Sequence, residues 1–258
     1  MRAETRRAKR TGAPDYDDPF FWDVKFATGQ DVGEWLNHGQ ILLDAILSFL
    51  ESQFASEKHA TPGVLHLGPG LSKLGEKVRN EFVERGWAGS GVVNVDFSSE
   101  AVRLGRAVES TQDKSHAMSW EQADLLSWND VSHLLQFAPF DAILDKSTSD
   151  AIATASPVAM KSLDLSTICP SVQAALLDKE EVTLSPVELL ALHLVPLTRR
   201  GSCWFVLSYS TMRFDSIPYA NVYWDIIDRV PVEAPGGQTA SGASAPAVYH
   251  WMYVLQRK

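Results

Sequence analysis

The sequence predicts an α/β fold in which helices cover both faces of a mostly parallel sheet. Three observations point there. Short apolar runs alternate with segments of helical periodicity along most of the chain. A glycine-rich turn, Gly68-Pro-Gly70, links the first run to the helix after it. Acidic residues close three successive runs, at Asp96, Asp124 and Asp145. The 258 residues, 45% of them apolar, suit one well-filled core or two small ones, since domains stop growing near about 250–300 residues.

Residues 1–18 read as a solvated basic tail carrying Arg2, Arg6, Arg7, Lys9 and Arg10, with an address or docking segment as the other reading. Pro19-Phe-Phe-Trp-Asp23 is an aromatic cluster beside a turn, and Asp31-Val-Gly-Glu34 has the form of a capping box. The apolar spacing from Val32 to Leu50 then predicts a helix. Strands are predicted over Gly63–Leu67, Gly91–Val95, Ala117–Ala123, Phe140–Leu144 and Ser202–Leu207. Helices are predicted over Ser72–Arg85, Ser98 to about Val108, and Ser185–Leu197. Val222–Val230 and Val248–Leu255 have no helix between them and read as an antiparallel pair. Residues 154–179, with Pro157 and Pro170, form an irregular insertion, and 234–247 a flexible hairpin loop. Residues 19–258 are then one domain.

Charge narrows the partners. With 23 Lys and Arg against 32 Asp and Glu, the net charge is −9, which disfavours nucleic acid and acidic lipid. No apolar run approaches the roughly 20 residues that cross a bilayer. Two cysteines make neither a disulfide framework nor a zinc cage. The default setting is a reducing cytoplasm, with a nuclear address left open by the basic tail.

The glycine turn lets a ligand approach the backbone, with unpaired amides at the helix start facing it. Lys73 stands where a dinucleotide fingerprint needs its third glycine, which weakens a nicotinamide reading. Asp96, 26 residues beyond Gly70, is placed to accept both hydroxyls of a ribose, and Phe97 offers a flat face to an adenine. His66, alone in an apolar strand, reads as a core residue.

Phe21-Trp-Asp23, Leu67-Gly-Pro-Gly-Leu-Ser72, Val93-Asn-Val-Asp-Phe-Ser98 and Ile143-Leu-Asp-Lys-Ser-Thr-Ser-Asp-Ala151 together resemble the class I S-adenosylmethionine-dependent methyltransferases. More narrowly they resemble the branch that methylates lysines and the N-terminus of translation elongation factor 1-alpha. The likeness spans about Phe20 to Ile152; Pro69, Leu71 and Ser147 stand where that branch carries Cys, Asn and Gly.

This resemblance implies a Rossmann-like seven-stranded sheet with the last strand antiparallel, and S-adenosylmethionine as cofactor, S-adenosylhomocysteine as product. It implies cofactor contacts from Gly68, Gly70, Ser72, Asp96, Phe97, Ser98, Asp124, Leu125 and Asp145. Trp22 would close over the site, or else be an ordinary core aromatic. Asp145 and Asp150 are the candidates to steer an acceptor amine, with Lys146 also readable as a structural partner neutralising Asp145. Direct displacement needs no metal. The implied acceptor is a protein lysine, on a translation factor by analogy. A small-molecule N-, O- or S-methyltransferase and a non-catalytic cofactor-binding subunit are the alternatives.

Overall fold

The computed structural model describes residues 14–29, 33–54, 60–161, 168–177, 179–234 and 247–258. Its strands are β1 (Val64–Leu67), β2 (Val92–Asp96), β3 (Ser119–Gln122), β4 (Phe140–Lys146), β5 (Val158–Lys161), β6 (Glu181–Leu184), β7 (Thr198–Ser208), β8 (Trp224–Glu233) and β9 (Tyr249–Arg257). Seven form the main sheet in the order β3-β2-β1-β4-β7-β9-β8. Only β9 runs against its neighbours. The predicted seven-stranded, mostly parallel sheet is therefore present, with the antiparallel strand second from the edge. From β1 the order runs outward in both directions, so a crevice opens at the carboxyl ends of β1 and β4.

The helices are α1 (Pro19–Thr28), α2 (Gln40–Phe54), α3 (Leu74–Glu84), α4 (Ser99–Glu109), α5 (Trp128–Ser132), α6 (Thr148–Ile152), α7 (Pro170–Ala175) and α8 (Pro186–Leu194). Every residue of β1, β2 and β4 is buried, as expected for parallel strands covered on both faces. Alternate side chains feed opposite core layers. Val64, Ala142 and Leu144 join Leu42, Ile46 and Val78 under α2 and α3. Leu65, Val95 and Ile143 join Val131, Leu189 and Trp204 on the α5 and α8 side.

Several local readings change. The aromatic cluster is helix α1, opened by Asp18 capping the Phe20 amide with Pro19 in the first turn, and closed by Gly29 in the left-handed region. It buries no residue fully, so it lacks the apolar stripe that would mark it as a helix. Glu34 does not open a helix: α2 begins at Gln40, and the Glu34 carboxylate is held by the glycine turn and β4 instead. The insertion contains ordered pieces, β5 paired antiparallel with β6, and α7. The basic run of the tail, Asp31 and Val32 of the capping box, and residues 162–167 and 235–246 lie outside the described residues. Among the described residues no helix is long and apolar enough to cross a membrane.

One glycine joins helix to sheet tightly enough to test. A Cβ on Gly105 of α4 would stand 2.3 Å from the Trp120 ring of β3. Gly105→Val should lower stability by about 1–3 kcal/mol through overpacking, read as a lower thermal midpoint; an unchanged midpoint would contradict this packing.

Candidate functional site

β1 runs into Gly68, Pro69 and Gly70 before α3 starts. Both glycines have positive φ, 50° and 51°, which costs other residues energy. Space demands them as well. A Cβ on Gly68 would lie 2.5 Å from Thr148 Oγ1, and one on Gly70 would lie 2.9 Å from the Phe26 ring. The amides here are committed within the protein: Gly68 donates to the Val95 carbonyl at 2.8 Å, Gly70 to Asp96 Oδ2 at 3.0 Å. At the start of α3, Lys73 donates to Glu34 and Leu74 to the Ser72 hydroxyl. The Gly68, Gly70, Ser72, Lys73 and Leu74 amides, expected from sequence to be unpaired, are thus capped from inside, and the turn offers a ligand close approach to the backbone.

Asp96 closes β2, 5% exposed, with Oδ1 accepting from the Ser98 amide at 2.9 Å. Burial, reinforced by the nearby Asp23 charge, outweighs these amide bonds and pushes its carboxyl up to about 6. Phe97, Asp124 and Leu125 line the same cavity, of ≈ 200 Å³. Asp124 Oδ1 accepts from the Leu126 amide at 2.9 Å, which ends the β3 turn. His66 also lines the cavity yet is buried, its Nδ1 2.9 Å from Asn94 Oδ1. The Asn94 amide nitrogen faces Ser119 O at 3.4 Å, so Nδ1–H is the donor. Burial lowers the imidazole to about 4, leaving it neutral at physiological pH.

Helix α1 and the segment after it roof the cavity. Asp23 accepts from the Ser98 hydroxyl at 2.6 Å, the Ser99 hydroxyl at 3.2 Å and the Glu100 amide at 3.1 Å. It thereby clips α1 to the N-terminus of α4, where a negative charge is favoured. Ser98 caps that helix through the Ala101 amide and does not reach the cavity wall. Trp22 lines the cavity, its indole N–H donating to Tyr16 O at 3.0 Å; it is a roof residue and not a core one. Glu34 binds Ser72 Oγ, the Lys73 amide and Lys146 Nζ, each at 2.8 Å. Lys146 therefore pairs with Glu34, not with Asp145: neighbouring side chains on a strand point to opposite faces.

The two carboxylates expected to steer an amine are occupied otherwise. Asp145 is fully buried, outside the cavity wall, and its Oδ1 accepts the Thr148 and Ser149 amides at 2.8 and 3.2 Å. Its Oδ2 has no partner among the described residues, and burial pushes the carboxyl up to about 7. Asp150 does line the cavity, but five donors surround its oxygens. They are the Ser147 and Ser208 hydroxyls, the Tyr209 amide, and Nε and one terminal nitrogen of Arg213. All of its lone pairs are spoken for. Ser147, at the position where the resembled branch has Gly, takes φ 68°, which a glycine adopts without strain.

Trp22, Gly68, Gly70, Ser72, Asp96, Phe97, Asp124, Leu125 and Asp150 therefore share one cavity, while Ser98 and Asp145 stand behind it. Glu34, Lys25 and Tyr209 join the wall unforeseen. Glu34 was legible only as a helix cap, and a lone Tyr or Lys carries no sequence signal.

No family model matches the sequence, and neither does any curated protein. Solved structures do match. An S-adenosylmethionine-dependent methyltransferase from Anabaena variabilis superposes over 99% of this chain and 100% of its own, at a TM-score of 0.53 and 10% identity. A putative class I S-adenosylmethionine-dependent methyltransferase from Listeria monocytogenes superposes over 93% of this chain and 67% of its own, at 0.50 and 16%. The chain has the fold of the S-adenosylmethionine-dependent class I methyltransferases.

Proposed function

We propose that the protein is an S-adenosylmethionine-dependent methyltransferase acting on an amine, with a protein lysine as the acceptor. The observation that carries the cofactor reading is the Asp96 carboxylate bonded to the Gly70 amide and lining one cavity with Phe97, Asp124 and Leu125. These residues fit the group. Asp96 would accept ribose hydroxyls, Phe97 and Leu125 would flank the adenine, and Asp124 would accept from its exocyclic amine. The backbone at Gly68 and Gly70 would lie along the methionine part, under Trp22. Ser72 would act through Glu34, and Ser98 by orienting the β2 end.

The bound cofactor supplies a sulfonium methyl open to direct displacement. The chain's own part is to align the acceptor, hold water back and accommodate positive charge. Asp145 and Asp150 contribute as positioning residues, fixing α6 against β4 and β7, because neither has a lone pair facing an incoming amine. The acceptor's proton then leaves to water. Ring faces of Trp22 and Trp35 suit an alkylammonium, and the charge of −9 attracts a basic protein, a translation factor by the resemblance. A small-molecule amine is the second reading, favoured by the largely aromatic and apolar wall.

Titration calorimetry with S-adenosylhomocysteine tests the cofactor reading; absence of binding to folded protein would overturn it. Asp96→Asn should weaken binding at least tenfold, since hydrogen bonds to a charged group are worth about 1.5–3 kcal/mol each. Because the carboxyl titrates near 6, wild-type affinity should fall between neutral pH and pH 5, and Asp96→Asn should flatten that dependence.

Asp150→Asn would leave a buried guanidinium uncompensated and should cost about 3–5 kcal/mol of stability, measured by denaturant unfolding. Full stability with lost turnover and intact S-adenosylhomocysteine binding would instead assign Asp150 to the chemistry. For the acceptor, methyl-labelled cofactor added with a lysate of the source organism should label a protein band; label confined to metabolites would favour the small-molecule reading.

A further inference from the structure

Helix α8 is buried along its whole length, and nearly all of it is apolar. His193, near its end, is polar and yet only 1% exposed. Its Nδ1 lies 2.9 Å from the Leu125 carbonyl, and a carbonyl only accepts, so Nδ1 carries the proton. Burial outweighs the pull of that carbonyl and of the Asp124 charge and lowers the imidazole to about 4, so a neutral ring makes the bond at physiological pH. The helix behind it is anchored: Trp224 donates to the Ala191 carbonyl at 3.0 Å, and Cys169 Sγ lies 3.5 Å from that of Leu192. His193 thus ties one residue of the cavity wall, Leu125, to a fixed part of the core.

The segment it holds can be followed amide by amide. Ala123 donates to the Asp96 carbonyl at 3.0 Å and Ser127 to the Asp124 carbonyl at 2.9 Å. Asp124 donates to Asp130 Oδ2 at 3.1 Å, and Leu126 to Asp124 Oδ1 at 2.9 Å. Among the described residues the Leu125 N–H has no acceptor. A donor at Leu125, next in sequence to the carboxylate of Asp124, is the complement of adenine, whose edge offers an accepting N1 beside a donating exocyclic amine. Hypoxanthine carries the reverse order, a donating N1–H beside an accepting oxygen. A mismatched base leaves buried polar groups unpaired, which costs more than a lost contact.

We propose that His193 is a positioning residue that sets base selection: by fixing the Leu125 carbonyl it orients the adjoining peptide groups so that the site takes adenine and rejects a base of reversed polarity. This rests on the cofactor reading above. Titration calorimetry should find that the wild-type protein prefers S-adenosylhomocysteine over S-inosylhomocysteine by at least about tenfold. His193→Leu, which leaves the Leu125 carbonyl without its donor, should narrow that preference several-fold. His193→Asn, whose amide nitrogen can stand where Nδ1 does, should restore most of it. Val172→Ala, a truncation in the same core layer, should lower stability and leave the preference unchanged. A wild-type preference kept by His193→Leu, or narrowed equally by Val172→Ala, would overturn the proposal. A second measurement needs no variant: nitrogen NMR of the wild-type imidazole should show the Nδ1–H tautomer with a slowly exchanging proton, and an Nε2–H tautomer would overturn it as well. If S-adenosylhomocysteine binds but the base makes no difference, this proposal fails and the cofactor reading stands. If it does not bind to the folded protein, both fail.

Discussion

The Asp96 carboxylate is nearly out of solvent at the end of β2, yet it holds two backbone amides from different loops, Gly70 on one side and Ser98 on the other. That one group sets the spacing between the first and second strand-to-helix turns, between which any ligand of this sheet edge must lie. The arrangement costs stability. A carboxyl raised from 3.8 to about 6 in the fold makes the folded state less favourable as pH climbs through that window, and the full cost persists above it. Removing the side chain would not simply recover the loss, because the Gly70 and Ser98 amides would lose their acceptor.

The same charge explains how the roof is attached. Asp23 sits close enough to raise Asp96, an unfavourable pairing that the α4 N-terminus offsets. Burial alone would raise Asp23 too, but the Ser98 and Ser99 hydroxyls and the Glu100 amide outweigh it and hold it below the usual range. On the other side of the cavity Glu34 does likewise: burial opposes its charge, while Lys146, the Lys73 amide and Ser72 more than compensate. Two carboxylates from the N-terminal segment thus clamp it to opposite sides of the crevice, one at α4 and one at the β4 tip. The roof is fastened by polar bonds at its ends, and its middle is left as a sheet of aromatic rings facing the cavity.

What the sequence discloses follows the same division. β1, β2, β4 and β7 are legible because parallel strands buried on both faces must be continuous apolar runs, and the Gly68-Pro-Gly70 turn because positive φ at two closely spaced positions leaves few residue choices. Helix α1 is illegible as a helix since two of its rings, Trp22 and Phe26, serve a cavity roof and none of its residues is fully buried, so it leaves no stripe for the core. Glu34 follows the local grammar of a capping box, but tertiary partners 38 and 112 residues away claim its carboxylate. Asp150 falls into the expected cavity, yet Arg213 and Ser208, which decide what its oxygens can do, lie 63 and 58 residues further on. Sequence reading located the carboxylates; their proton economy depends on partners no local pattern names.

That proton economy shapes the chemistry a methyl transfer would follow in this cavity. With Asp145 turned into α6 and Asp150 saturated by its donors, neither carboxylate at the β4 tip offers a free lone pair to an acceptor, and burial leaves His66, lowered to about 4, too weak a base for an ammonium. Deprotonation of an amine is then a matter for solvent, ahead of the displacement. What the wall supplies at the moment of transfer is a set of ring faces, from Trp22, Trp35 and Tyr209 among others, that tolerate a cation without offering it a hydrogen bond. Charge passing from sulfur to nitrogen would stay within reach of those faces, so the interior would need no reorganised dipoles and little water. An acidic chain with a largely apolar cavity is consistent on that view: the surface charge would draw in a basic acceptor of the kind proposed, and the rings would receive it.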